Sequence, residues 1–140
     1  MKKLLFATMF LLLMLAVPMS TMAGVAVGVG IALPPPIVVG APPAVVAVPS
    51  ASGVYVAPDV DVDLFFWNGW WWRPWEGHWY RSRYYDRGWG YYKRVPGFYN
   101  RVDPGWRGYY RSHSWNGRPW NYQRIPHHEF VHGNYGHYRR

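Results

Sequence analysis

Polar and apolar residues alternate along Asp59-Val60-Asp61-Val62-Asp63-Leu64-Phe65 and run on into Phe66-Trp67, the period-two signature of a β-strand over 59–67. Asn68-Gly69 follows. Both residues tolerate the positive φ of a type I′ turn, so a two-residue hairpin is predicted, with Trp67 facing Trp70, Phe66 facing Trp71 and Phe65 facing Trp72. The next punctuation, Arg73-Pro74-Trp75-Glu76-Gly77-His78, predicts a turn with Arg73 opposite His78, Trp72 opposite Trp79, Trp71 opposite Tyr80 and Trp70 opposite Arg81. Asp86-Arg87-Gly88 suits a three-residue loop with Gly88 left-handed, pairing Tyr85 with Trp89 and Arg83 with Tyr91. A Trp-x-Gly theme recurs through these turns, with a weaker echo at Trp115-Asn116-Gly117-Arg118-Pro119-Trp120. The expected fold is mainly β: a small aromatic-rich antiparallel β-meander with short C-terminal helical or irregular segments, preceded by a low-complexity tether.

These registers place Phe65, Trp72 and Trp79 on one face and Phe66, Trp71 and Tyr80 on the other, with Trp67, Trp70 and Arg81 stacked near the first turn. Each cross-strand aromatic pair contributes roughly 0.2–1 kcal/mol. Because side chains alternate, both faces are aromatic and both require cover, from the C-terminal segment, the tether or a partner. A one-residue slip would reverse every face assignment.

The flanks differ sharply from this centre. From Gly24 to Pro58 no residue is charged, and Val, Ala, Gly and Pro dominate, with Pro34-Pro35-Pro36 and Pro42-Pro43 favouring extended polyproline II. Residues 24–58 are therefore read as a tether. It is either a semi-rigid spacer or a strap lying along the sheet, with Ile37-Val38-Val39 and Val45-Val46 able to pair as short edge strands. The Gly24-x-x-x-Gly28 spacing suits helix packing in a membrane, but the prolines close behind it oppose that reading. The meander is assigned to 59–95, and 96–140 to a basic, aromatic and His-rich C-terminal segment. Within it Asp103 as N-cap and Pro104 at the first helical position predict a short helix through His113, with Trp106, Tyr109, Tyr110 and His113 along one stripe. A second helix is predicted from Pro126 to His132, ended by Gly133.

The N-terminus adds a location. Met1-Lys2-Lys3 is positive, Leu4 to Val17 is almost wholly apolar, and Thr21 and Ala23 sit as in an A-x-A-like cleavage site. Residues 1–23 read as a cleaved signal peptide rather than an uncleaved anchor, because the apolar run is shorter than the ~20 residues a spanning helix needs. The mature chain is expected to be exported, to the periplasm, the outer-membrane surface or the medium, with no spanning helix after cleavage. The full chain carries a formal net charge of +8 at pH 7 and no cysteine. Thiol chemistry, cysteine-ligated zinc and disulfide staples are thereby excluded. Large aromatic side chains, oligomerisation or docking on a surface must supply what a small core lacks. Arginine far outnumbers lysine, and arginine is the cation that stacks on rings and forks onto carboxylate or phosphate.

The run Phe65-Phe66-Trp67-Asn68-Gly69-Trp70-Trp71-Trp72-Arg73-Pro74, with Trp79-Tyr80-Arg81-Ser82-Arg83-Tyr84-Tyr85, resembles small exported bacterial proteins rich in Trp, Tyr and Gly, some called YxWGxW-repeat proteins. The literal hexapeptide does not occur: around Trp89-Gly90, Arg87 and Tyr92 stand at its first and last positions. The resemblance implies a Gram-negative envelope protein of unassigned activity and carries over no functional residue.

His128-Glu129-Phe130-Val131-His132 matches H-E-x-x-H, in which two histidines one helical turn apart bind zinc and the glutamate acts on the metal-bound water. The extended spacing is absent, since His137 follows in Gly133-Asn134-Tyr135-Gly136-His137. Three readings follow: a zinc hydrolase, weak metal binding by His128, His132 and His137, or an exposed basic tail. Asp59, Asp61 and Asp63 begin like a calcium loop, but Leu64 and Trp70 stand where that loop needs Gly and Glu. No nucleophile elbow, carboxylate pair or phosphate-binding loop is evident, so no enzyme activity and no cofactor are assigned. Trp and Tyr with nearby Arg suit glycans and single-stranded nucleic acid alike, and export favours glycans over nucleic acid. The candidate ligand-binding residues are Trp67, Trp70, Trp75 and Trp89 near turns, with Arg81 and Arg83. The partners this chemistry fits are an envelope polysaccharide, lipopolysaccharide or an envelope protein. The competing reading makes most of these rings the core of a structural protein.

Overall fold

Six short strands form one antiparallel meander in chain order: β1 (Val46–Ala47), β2 (Tyr55–Val56), β3 (Phe65–Trp67), β4 (Trp70–Trp75), β5 (His78–Ser82) and β6 (Gly90–Tyr92). A 3-10 turn at Tyr99–Arg101, helix α1 (Trp106–Ser112), a second small sheet of β7 (Ser114–Trp115) and β8 (Arg118–Pro119), and helix α2 (His127–His132) follow. This computed structural model describes residues 30–132. The leader 1–23, the Gly24 to Gly28 spacing, Gly133 and His137 lie outside the described residues.

The first hairpin has the expected register, Phe65↔Trp72, Phe66↔Trp71 and Trp67↔Trp70. Asn68 and Gly69 take φ of 51° and 76°, the doubly positive pair of a type I′ turn. The second hairpin repeats the device. Glu76 and Gly77 take φ of 46° and 73°, so Trp75 faces His78 and Arg73 faces Tyr80 rather than His78. The expectation placed Arg73-Pro74 in the turn, whereas Pro74 lies inside β4 opposite Trp79. β3 ends its pairing at Phe65↔Trp72, so Pro74 sits where β4 runs past its neighbour and no ladder donor is required of it. The register moves by two residues, which shifts the columns but preserves both faces.

The third connection departs further. Trp79 faces Tyr92, Tyr80 faces Tyr91 and Arg81 faces Gly90, an odd shift that exchanges the faces expected for Tyr91 and Tyr92. The three-residue loop is replaced by a longer one organised by buried Ser82. Its hydroxyl accepts the Tyr84 N–H at 3.0 Å and donates to the Arg87 carbonyl at 2.5 Å, and Gly88 is left-handed as expected.

The alternation at Asp59–Asp63 belongs to a loop, not to a strand, which begins only at Phe65. Arg107 from α1 explains the pattern: its Nη2 donates to the carbonyls of Val60 at 2.9 Å and Val62 at 2.7 Å, and its Nε to Asp63 at 3.0 Å. Asp59 is gripped by Arg124 through both carboxylate oxygens, while Val60 is buried. Two of the three aspartates that would open a calcium loop, Asp59 and Asp63, are thus engaged by arginines. Helix α1 starts later than expected: Asp103 accepts the Gly105 N–H at 2.7 Å in a side-chain turn, and Gly105 takes the cap position without a side-chain bond.

Both faces of the sheet are covered. Over Phe65, Trp72 and Trp79 lie Phe98, Val102, Trp106, Trp115 and Trp120, with the Phe98 ring 5.5 Å from Phe65 and 6.0 Å from Trp72. Over Phe66, Trp71 and Tyr80 lie Trp89, Ile125 and Phe130, with the Phe130 ring 4.7 Å from Phe66. Residues 31–39 of the Pro/Val-rich segment complete this second cover as a strap along the sheet. The Tyr80 hydroxyl donates to the Ala32 carbonyl at 2.7 Å, Arg73 to the Pro35 carbonyl at 2.9 Å, and the Ile37 N–H to the Asp86 carbonyl at 2.8 Å. Farther on, Val45 bridges Ile125, and β1 and β2 extend the sheet itself into residues 46–56. Val46 thus opens an edge strand and Val45 makes an isolated bridge, whereas Ile37-Val38-Val39 forms no strand.

Candidate functional site

Because β4 and β5 alternate, the candidate residues fall on opposite faces. Trp67 and Trp70 face each other across the first hairpin and pack with Trp72 and Trp79. Trp75 and Trp89 pack against the other cluster, with Trp71 and Tyr80. They cannot form one platform. Trp89 is also buried, at 5% exposure, so its expected role as an open ring beside a turn is corrected. None of the ten tryptophans is fully exposed: Trp67, Trp70 and Trp75 are half-buried and the others buried.

What the structure does bring together is Trp70 with Arg81 and Arg83. The guanidinium carbons lie 4.4 Å and 3.7 Å from the Trp70 ring centroid, and Arg81 also lies 5.2 Å from Tyr92 and 5.8 Å from Trp72. Arg83 is pinned further by a 2.7 Å bond from Nη1 to the Gly69 carbonyl, in the turn the Asn-Gly pair creates. Stacking on a ring is worth about 0.5–1 kcal/mol at exposed sites and leaves the in-plane N–H groups of a guanidinium free to fork onto an oxyanion. Among the described residues neither arginine has an ion-pair partner. Arg83 is exposed and Arg81 half-buried. The rings are thus occupied by the protein's own cations, and the surface they offer is guanidinium rather than indole.

Arg73, on the opposite face, is the arginine that sequence reasoning missed. It is only 3% exposed, lies 5.4 Å from the Trp89 ring and has no carboxylate partner among the described residues. Burial pulls its pKa down. The signal was available in the parity of β4: residues 71, 73 and 75 share a face once Glu76-Gly77 is taken as the turn. Arg124 is held in the opposite sense, its pKa raised by the hydrogen bond to Asp59.

In the H-E-x-x-H segment, α2 carries His128 and His132 exposed, and His128 Nε2 lies 3.9 Å from Glu129. Phe130 of the same helix is buried in the core. His127 beside them is half-buried, stacked at 6.4 Å on Trp71, and its pKa is lowered first by desolvation and then by His128. Among the described residues no three His, Asp or Glu side chains gather as a metal site, and His137 lies outside them. No helix among the described residues is long and apolar enough to cross a membrane. No protein-family model, curated protein or solved structure matches this chain.

Proposed function

We propose that the chain is an exported, non-catalytic module of the bacterial envelope that binds anionic groups of an envelope glycan through Arg81 and Arg83. In this reading the tryptophans build the fold and orient the cations. The observation that supports it most is the pair of guanidinium groups over Trp70, with no counter-carboxylate among the described residues. Two cations held in place lose less freedom on binding than two solvated side chains. An unneutralised positive surface on an exported protein meets lipopolysaccharide phosphates and acidic cell-wall sugars first. The signal-like leader and the resemblance to exported Trp/Tyr/Gly-rich proteins point to the same compartment.

Co-sedimentation of the mature protein with lipopolysaccharide aggregates, beside an insoluble neutral glucan, tests this. Sedimentation with lipopolysaccharide alone, weakening between low and physiological salt as charge screening shortens, is the expected result. Equal sedimentation with the neutral glucan, or no salt dependence, would overturn it.

A further inference from the structure

A cleft of about 690 Å³ lies on the second face of the sheet, between the proline-rich strap and the Asp59–Val62 loop. Its walls include Pro35, Val39, Pro42, Asp61, Arg73 and Arg124. The size is that of a small-molecule site, which typically spans about 300–1,000 Å³ and sets a few polar groups among apolar walls. Arg124 is already neutralised by Asp59. Arg73 is not. Its charge is almost wholly removed from water, one N–H is satisfied by the Pro35 carbonyl, and its buried Nε has no partner. A buried cation without an anion is costly in proportion to its lost hydration, and an oxyanion bound at the cleft wall would offset that charge.

We propose that this cleft binds a small ligand carrying a single oxyanion, carboxylate or phosphate, on a hydroxylated body, with Arg73 as the anchor. The restriction to one anionic group comes from Asp61, an exposed wall residue without an ion-pair partner among the described residues. It repels a second negative charge and accepts hydrogen bonds from hydroxyls. The site is separate from the Arg81 and Arg83 surface, which lies on the other face and suits a polyanion.

The test follows the Nε–H resonance of Arg73 in 15N-labelled full-length mature protein, assigned by through-bond correlation to its own β4 backbone. Sodium glucuronate, sodium phosphate and glucose are titrated at constant ionic strength. A saturable shift of that resonance with glucuronate identifies a carboxylate ligand, and one with phosphate alone identifies a phosphate ligand; glucose is expected to leave it unmoved. Gly40 also lines the cleft, and a Cβ built on it meets nothing within 4 Å, so Gly40→Phe adds a ring at the cleft wall with no clash at its Cβ. It is expected to weaken the response roughly tenfold or more. The double variant Arg81→Ala/Arg83→Ala is expected to keep it, which separates this site from the glycan surface. No saturable shift with either anion, or an undiminished one in Gly40→Phe, would overturn the proposal.

Discussion

The face of Phe65, Trp72 and Trp79 is covered by rings from Phe98 to Trp120, while the face of Phe66, Trp71 and Tyr80 is covered by a short helix, Trp89 and a proline-rich strap. Each face also carries an arginine stacked on tryptophan. Arg81 sits at the boundary with solvent, where its charge stays hydrated and available, whereas Arg73 is enclosed beneath the strap. The contrast shows how little the residue pair alone decides: the same cation and ring leave the guanidinium at the solvent boundary in one place and enclose it in the other. What differs is the cover. The aromatic cover packs ring on ring, while the strap is fastened largely by side chains reaching its carbonyls, from Tyr80 to Ala32 and from Arg73 to Pro35.

The largest effect is expected on the aromatic side. Trp106 is 1% exposed and its ring lies 6.3 Å from Phe65. Trp106→Ala should cost about 3–5 kcal/mol in urea denaturation; a loss below ~1 kcal/mol would show that the C-terminal cover contributes little. On the strap side, Tyr80→Phe removes the hydrogen bond to Ala32 while keeping the ring, so about 1 kcal/mol should be lost. Faster hydrogen exchange at the Ile37 amide is expected to accompany it, and unchanged exchange there would argue against the strap being fastened through Tyr80.

Arg73→Met should change stability by less than ~1 kcal/mol, or raise it, because a lone buried charge is exchanged for an apolar chain of similar length. A large loss would make Arg73 a structural residue rather than an anchor awaiting an anion. The smallest effect concerns His127, on the second face. Burial, and then His128, hold its imidazole below the ordinary value, so the unfolded chain takes up that proton first. The stability it contributes is complete above about pH 6.5 and is lost as the pH falls through the lowered folded value. The melting temperature should therefore fall on acidification below that range, and His127→Phe should flatten the fall.

Much of this contrast was legible in the sequence where a residue type has one conformational use. Asn68-Gly69 set the first hairpin register outright, and the alternation of β4 and β5 assigned Phe65, Trp72 and Trp79 to one face and Phe66, Trp71 and Tyr80 to the other. Proline misled, because Pro74 marks a turn in most contexts and is tolerated here only where β4 outruns β3. The aspartate alternation misled as well, since Arg107 and Arg124, distant in sequence, supply the partners that make it a loop. Local sequence holds no record of such long-range partners. The candidate site was half legible: Trp70, Arg81 and Arg83 do meet, but their stacking depends on the second hairpin's register. Trp75 falls on the other face by the alternation of β4, and Trp89 packs there by the register of the third connection.

The most direct measurement is the lipopolysaccharide co-sedimentation of three folded proteins side by side: wild type, Arg81→Ala/Arg83→Ala and Trp75→Leu. Loss of binding in the arginine variant, with binding retained in Trp75→Leu, is the expected result. Equal binding by wild type and the arginine variant would contradict the role assigned to the Arg81 and Arg83 pair.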